Sequence, residues 1–176
     1  TRKSTALLVM AVLFACKNEV KDVQKVSSDG QMPVMELFNT EITYTEDGKL
    51  HSKLISEHIQ RFRGDSAWTL MPNGLRSLVY DSLGNVESEI NAQYGIWLED
   101  NRLMIAEKDV QVENNAGEKL NTEKLIWYQD SGIFYTDQFV KITQPSGVIY
   151  GKGLRAREDF KDYEILNISG NIAVEE

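Results

Sequence analysis

The chain has 176 residues, 41% of them hydrophobic, and 19 Lys and Arg stand against 27 Asp and Glu for a net charge of −8. That length suits one ordinary domain and excludes a multidomain machine, and the acidic balance gives no electrostatic reason for binding DNA or RNA. The hydrophobic share is uneven: Ala6 to Cys16 is an unbroken apolar run, with Arg2 and Lys3 before it and a lysine-rich polar stretch after it.

At 1.5 Å per residue, Ala6 to Ala15 cannot cross hydrocarbon about 30 Å thick, which takes about 20 residues. A basic start, a short apolar run and a small residue before a boundary describe a secretory signal peptide, removed from the mature protein. The segment Leu13-Phe14-Ala15-Cys16 resembles a bacterial lipobox, although Phe14 is bulkier than the usual residue there. On this reading residues 1–15 are the signal peptide. Cys16, the sole cysteine, becomes the lipidated first residue of the mature protein, and no disulfide remains possible. Residues 16–35 follow as a flexible tether, because Asn18, Glu19, Lys21, Asp22, Gln24, Lys25, Ser27, Ser28 and Asp29 leave too little apolar area to offset the entropy of ordering.

From Glu36 to Glu176 turn signals arrive regularly: Asp47-Gly48, Asn73-Gly74, Gly84-Asn85, Asp100-Asn101, Ala116-Gly117, Ser131-Gly132, Ser146-Gly147 and Gly170-Asn171. The runs between them alternate apolar with polar or small residues, as at Ile90, Ala92, Tyr94 and Ile96, so the domain reads as all-β. A shift of thirty superposes Ile90 on Leu120, Trp97 on Trp127, Asp100 on Asp130, Leu103 on Ile133, Val110 on Val140, Val112 on Ile142 and Gly117 on Gly147. One such unit cannot close a core, so neighbours must stack. The chain is too short for a propeller, and an open stacked sheet folded over on itself fits best. Such a sheet leaves apolar faces looking at each other across a groove and both end strands with unpaired backbone groups.

Catalytic signatures are missing. There is no glycine-rich phosphate loop and no Gly-x-Ser-x-Gly elbow, and His51 and His58 sit at odd spacing on opposite faces of a strand, unsuited to a shared metal. Neither a cofactor nor an enzyme activity is expected. Glu87/Glu89, Glu99/Asp100 and Glu107/Asp109 read as the charges of a solvated sheet face rather than a glycosidase pair. Trp97 and Trp127 share one repeat position and read either as plugs between stacked units or as contacts lining the groove.

The ordered segments Val86-Glu87-Ser88-Glu89, Ala92-x-Tyr94, Thr122-Glu123-x-Leu125-x-Trp127, Thr136-Asp137-x-Phe139-Val140-x-Ile142, Ile149-Tyr150-Gly151-x-Gly153-Leu154-x-Ala156 and Asp159-Phe160 resemble the LptC family. These are membrane-anchored periplasmic components of the lipopolysaccharide export bridge. The sequence looks most like the Bacteroidota branch of that family, in which a lipobox takes the place of the anchoring helix. The resemblance implies a twisted, open β jelly roll of V-shaped section that carries lipopolysaccharide acyl chains between its sheets. It also implies periplasmic placement, with the lipid on Cys16 anchoring the chain to the inner membrane.

Inward candidates for the groove are Ile90, Tyr94, Ile96, Leu103, Ile105, Val110, Val112, Leu120, Leu125, Ile133, Val140, Ile142 and Ile149. The last strand, with Ile165, Ile168, Ile172 and Val174, would add by β-augmentation to the sheet of an LptA-like bridge protein. The other end would face the inner-membrane lipopolysaccharide ABC transporter. A competing reading from another class is an extracytoplasmic β-repeat lipoprotein that binds carbohydrate or serves in adhesion. Rows of aliphatic residues favour the lipid groove, since a glycan site wants an exposed aromatic platform.

Overall fold

The computed structural model describes residues 31–173, so the expected signal peptide, Cys16 and most of the tether lie outside the described residues. Within that span all regular structure is antiparallel β: β1 (Met35–Glu46), β2 (Lys49–Arg63), β3 (Ala67–Met71), β4 (Leu75–Tyr80), β5 (Val86–Ala92), β6 (Tyr94–Leu98), β7 (Leu103–Asn114), β8 (Lys119–Tyr128), β9 (Ile133–Gln144), β10 (Gly147–Arg157) and β11 (Tyr163–Ala173). Several sequential strands, among them β1–β2, β4–β5, β7–β8 and β8–β9, pair through tight turns that contain glycine. Asp47 and Gly48, for example, both take positive φ (50° and 75°), the conformation a two-residue hairpin needs to match strand twist.

The strands form one sheet, and each lane of it is broken or bulged near its middle. β2 pairs with β4 along Ser52–Ile55 and with β3 along Gln60–Arg63, so β3 and β4 share one lane, interrupted at Pro72-Asn73-Gly74, where proline cannot donate to a ladder. β5 and β6 share the next lane, and both pair with β7. Beyond them the ladders slip between Glu107 and Val110, between Thr122 and Ile126, and between Lys152 and Leu154. Lys108, Asp109 and Gly153 take positive φ at these slips, as bulges that bend a strand require.

A corner in every lane folds the sheet over. One arm holds β4, β5 and the adjoining ends of β7 to β10; the other holds β3, β6 and their opposite ends. Their facing sides merge into a single core. Leu54, Leu75, Ile90, Val112, Leu120 and Ile142 come from the first arm, and Ile59, Met71, Met104, Trp127, Phe134 and Leu154 from the second. The thirty-residue shift carries β7 onto β9, with Val110 and Val112 landing on Val140 and Ile142, all four buried in that core.

Candidate functional site

The space between the arms is not completely filled. A cavity of about 500 Å³ opens at their mouth, with Ile42 and Leu54 on the first arm and Trp97, Met104 and Trp127 on the second. Beneath it a small void lined by Leu75, Ile90, Leu125 and Phe134 shares Ser77, Met104 and Trp127 with the cavity, so the apolar interior continues inward. The rim is polar: Tyr44, Glu46 and His51 face Arg102, Asp130 and Glu158, and Arg102 pairs with Asp130 at 2.9 Å. An apolar floor under a charged rim is the arrangement that shelters hydrocarbon while a polar head stays wet.

A row of rings runs through this space. His51 lies 6.5 Å from Trp127, Trp127 lies 5.7 Å from Phe134, and Phe134 lies 5.4 Å from Phe160, centroid to centroid. The Trp127 indole N–H donates to Glu158 Oε2 at 3.2 Å. The buried Trp97 Nε1–H finds no acceptor among the described residues and is a donor left over at the cavity wall.

The inward candidates divide. Ile90, Val110, Val112, Leu120, Leu125, Val140 and Ile142 join the core between the arms, Ile149 packs against it, and Ile133 reaches the cavity wall. Tyr94, Ile96, Leu103 and Ile105 fall on the opposite face, since their strand neighbours Trp97, Met104 and Ala106 point between the arms. For Tyr94 and Ile96 the reason is the break at Gln93, whereas Leu103 and Ile105 lie in β7 an odd number of residues from the inward Val110, in phase with neither Val110 nor Val112. Alternation carried from Ile90 and Ala92 into β6 would turn Tyr94 and Ile96 inward, whereas the break reverses the phase and brings Gly95 and Trp97 inside. On the outer face the Lys108 ammonium sits 5.0 Å over the Tyr94 ring, and burial, seconded by Glu107, raises the phenol's pKa. Ile42, Leu54, Met104 and His51 are cavity residues that alternation alone does not single out. Met104 could have been found by placing it one position beyond Leu103 against Phe134 in the repeat.

Among the described residues β1 pairs with β2 alone and β11 with β10 alone, so both edges are open. On β11, Ile165 packs against the core while Ile168 is 69% exposed. Ile172 pairs with Val148 through the backbone, and Val174 lies outside the described residues. The Tyr150-Gly151-x-Gly153 segment explains how β11 is seated. A Cβ on Gly151 would come within 2.3 Å of Ile165 Cγ2 and 2.8 Å of the Asn167 carbonyl oxygen, and Gly153 takes a left-handed φ of 80° under Leu166.

The acidic pairs are engaged in outward contacts. Glu89 takes two 2.8 Å hydrogen bonds from Arg76, which hold its carboxyl below the ordinary range. Glu99 accepts from Arg61 and Thr69, Glu107 pairs with Lys124 at 3.0 Å, and Glu87 pairs with Lys161. No group of His, Cys, Asp or Glu placed to hold a metal occurs among the described residues. A family model described as lipopolysaccharide-assembly, LptC-related, matches residues 4–172. No curated protein matches the chain.

Proposed function

The chain belongs to the LptC-related family of lipopolysaccharide-assembly proteins, non-enzymatic components of the periplasmic transport bridge at the inner membrane, and from that membership we propose that it takes lipopolysaccharide from the inner-membrane ABC transporter and passes it to the next bridge protein through the groove between its arms. The observation that carries this reading is the cavity of about 500 Å³ whose floor is Leu54, Trp97, Met104 and Trp127. Each methylene sheltered there is stabilised by about 0.8 kcal/mol relative to water. The charged rim leaves the sugar head hydrated. The lining proposed comprises those residues together with Ile90, Leu125 and Ile133, while Val110, Val112, Leu120, Val140, Ile142 and Ile149 form the wall behind it.

The open β11 edge would pair with an LptA-like protein and the β1 edge would face the transporter, each through unpaired backbone groups. Lipid on Cys16 would hold the whole at the inner membrane. Site-specific photo-crosslinking tests the groove. A crosslinker at Leu54 or Met104 is expected to capture lipopolysaccharide in membranes, and one at Glu113, exposed on the outer face of β7, is not. Capture from Glu113 with none from Leu54 or Met104 would reject the assignment.

A further inference from the structure

The cavity is small for the cargo. A dry cavity of roughly 150 Å³ holds benzene, about 25 Å³ per carbon, so about 500 Å³ holds roughly twenty carbons. That is one long acyl chain with little to spare, and lipopolysaccharide carries several. Next to the cavity, the core includes the Phe160 ring, packed 5.4 Å from Phe134.

Residues 158–162, the loop between β10 and β11, leave and re-enter the second arm, where Arg157 N–H donates to the Asp162 carbonyl at 3.0 Å, and reach across to the first. Glu158 N–H donates to the Gly132 carbonyl at 3.0 Å and Phe160 N–H to the Arg157 carbonyl at 3.0 Å, which shapes the loop. From the far arm, Ser88 Oγ donates to the Glu158 carbonyl at 3.0 Å and Asn114 Nδ2 to the Phe160 carbonyl at 3.4 Å. Lys161 adds an ion pair with Glu87. The Phe160 ring, 6% exposed, ends the row of rings that begins at the cavity, and its backbone sits at a φ of 55°, a left-handed conformation rare for a bulky residue. Ser88 and Asn114 are themselves buried, so their partners in the loop are specific ones.

We propose that residues 158–162 are a displaceable strap across the mouth of the groove, and that acyl chains beyond the first enter by taking the place of the Phe160 ring. This rests on the lipid-carrier reading and adds to it a closed state and an open one. The ties to the first arm are of a kind that can be exchanged: two hydrogen bonds to loop carbonyls, one surface ion pair and one ring that a hydrocarbon chain replaces without loss of apolar contact, while the hydrogen bonds of Glu158 with Trp127 and Gly132 root the strap in its own arm.

Lipid A is the probe. Native mass spectrometry of the full chain counts the lipid A bound, and amide hydrogen exchange on the same sample reads the strap. With lipid A bound, the Phe160 amide is expected to exchange about tenfold faster than in the free protein. Phe160→Ala is expected to take up lipid A faster than the natural chain. The exchange measurement uses the natural chain and so holds whether or not Phe160→Ala folds. Lipid A bound with that amide still protected would overturn the strap and leave the carrier reading standing, whereas failure of the natural chain to bind lipid A at all would overturn both.

Discussion

Gly95 stands in β6 where Leu125 stands thirty residues later in β8, and the difference is absorbed by a neighbour. A Cβ on Gly95 would lie 2.2 Å from Leu75 Cδ2 and 3.0 Å from Met71 Cε, so the Leu75 side chain fills the room that a side chain at 95 would need. Gly95→Ala is therefore expected to destabilise the fold by about 1–3 kcal/mol through overpacking. Leu75→Ala alone should cost about 2–5 kcal/mol through the cavity it leaves. Together they should cost at least about 1 kcal/mol less than the sum, because each relieves the other. Denaturant unfolding of the three variants measures this, and simple additivity would show that the two positions do not share space. Single residues were legible where their chemistry is local, as with the turn glycines and the alternating Val110 and Val112 of β7 and Val140 and Ile142 of β9. Ile96 was not, since its direction depends on the break at Gln93, which leaves no mark in hydropathy, and neither was Ile105, which lies in the unbroken apolar run Leu103 to Ala106 where alternation is hidden.

Among the elements, β11 is seated by what its neighbour lacks. Gly151 allows the Asn167 carbonyl and the Ile165 side chain to approach β10 closely, so Gly151→Val should loosen β11 while leaving the arms joined by the core. Loss of docking to the partner bridge protein, with thermal unfolding of the remaining sheet shifted by only a few degrees, is the expected result of a pull-down run beside a melting curve. Ile172→Pro should also lower docking, because proline removes a donor from the strand; full docking by both variants would show that β11 is not the contact edge. The strands and their order were readable from turn signals and alternation. Their fold-over was readable only as a need for facing apolar surfaces, because the bulges that produce it are single-residue irregularities in the ladders. The strap was less visible still. Asp159-Phe160 has no periodicity, and its ties come from Asn114 and Ser88, 46 and 70 positions away.

At the scale of the whole molecule, two arms hinged along a line of bulges and laced at the mouth form a container that is open at both strand edges. If the short leader and Cys16 act as the sequence suggests, Cys16→Ser should shift the protein from the membrane fraction to the soluble fraction on cell fractionation. Retention in the membrane would defeat the lipobox reading and leave the groove untouched, since the anchor and the described residues are separate parts of the chain. The aromatic residues have a further consequence for how such a container can be watched. Trp97 and Trp127 line the cavity, whereas Trp68 is stacked on Phe62 at 4.1 Å on the outer face. On the proposed carrier reading, the protein's ultraviolet emission would be divided between two indoles that touch whatever enters and one held away from it, an optical gauge of loading together with its own reference.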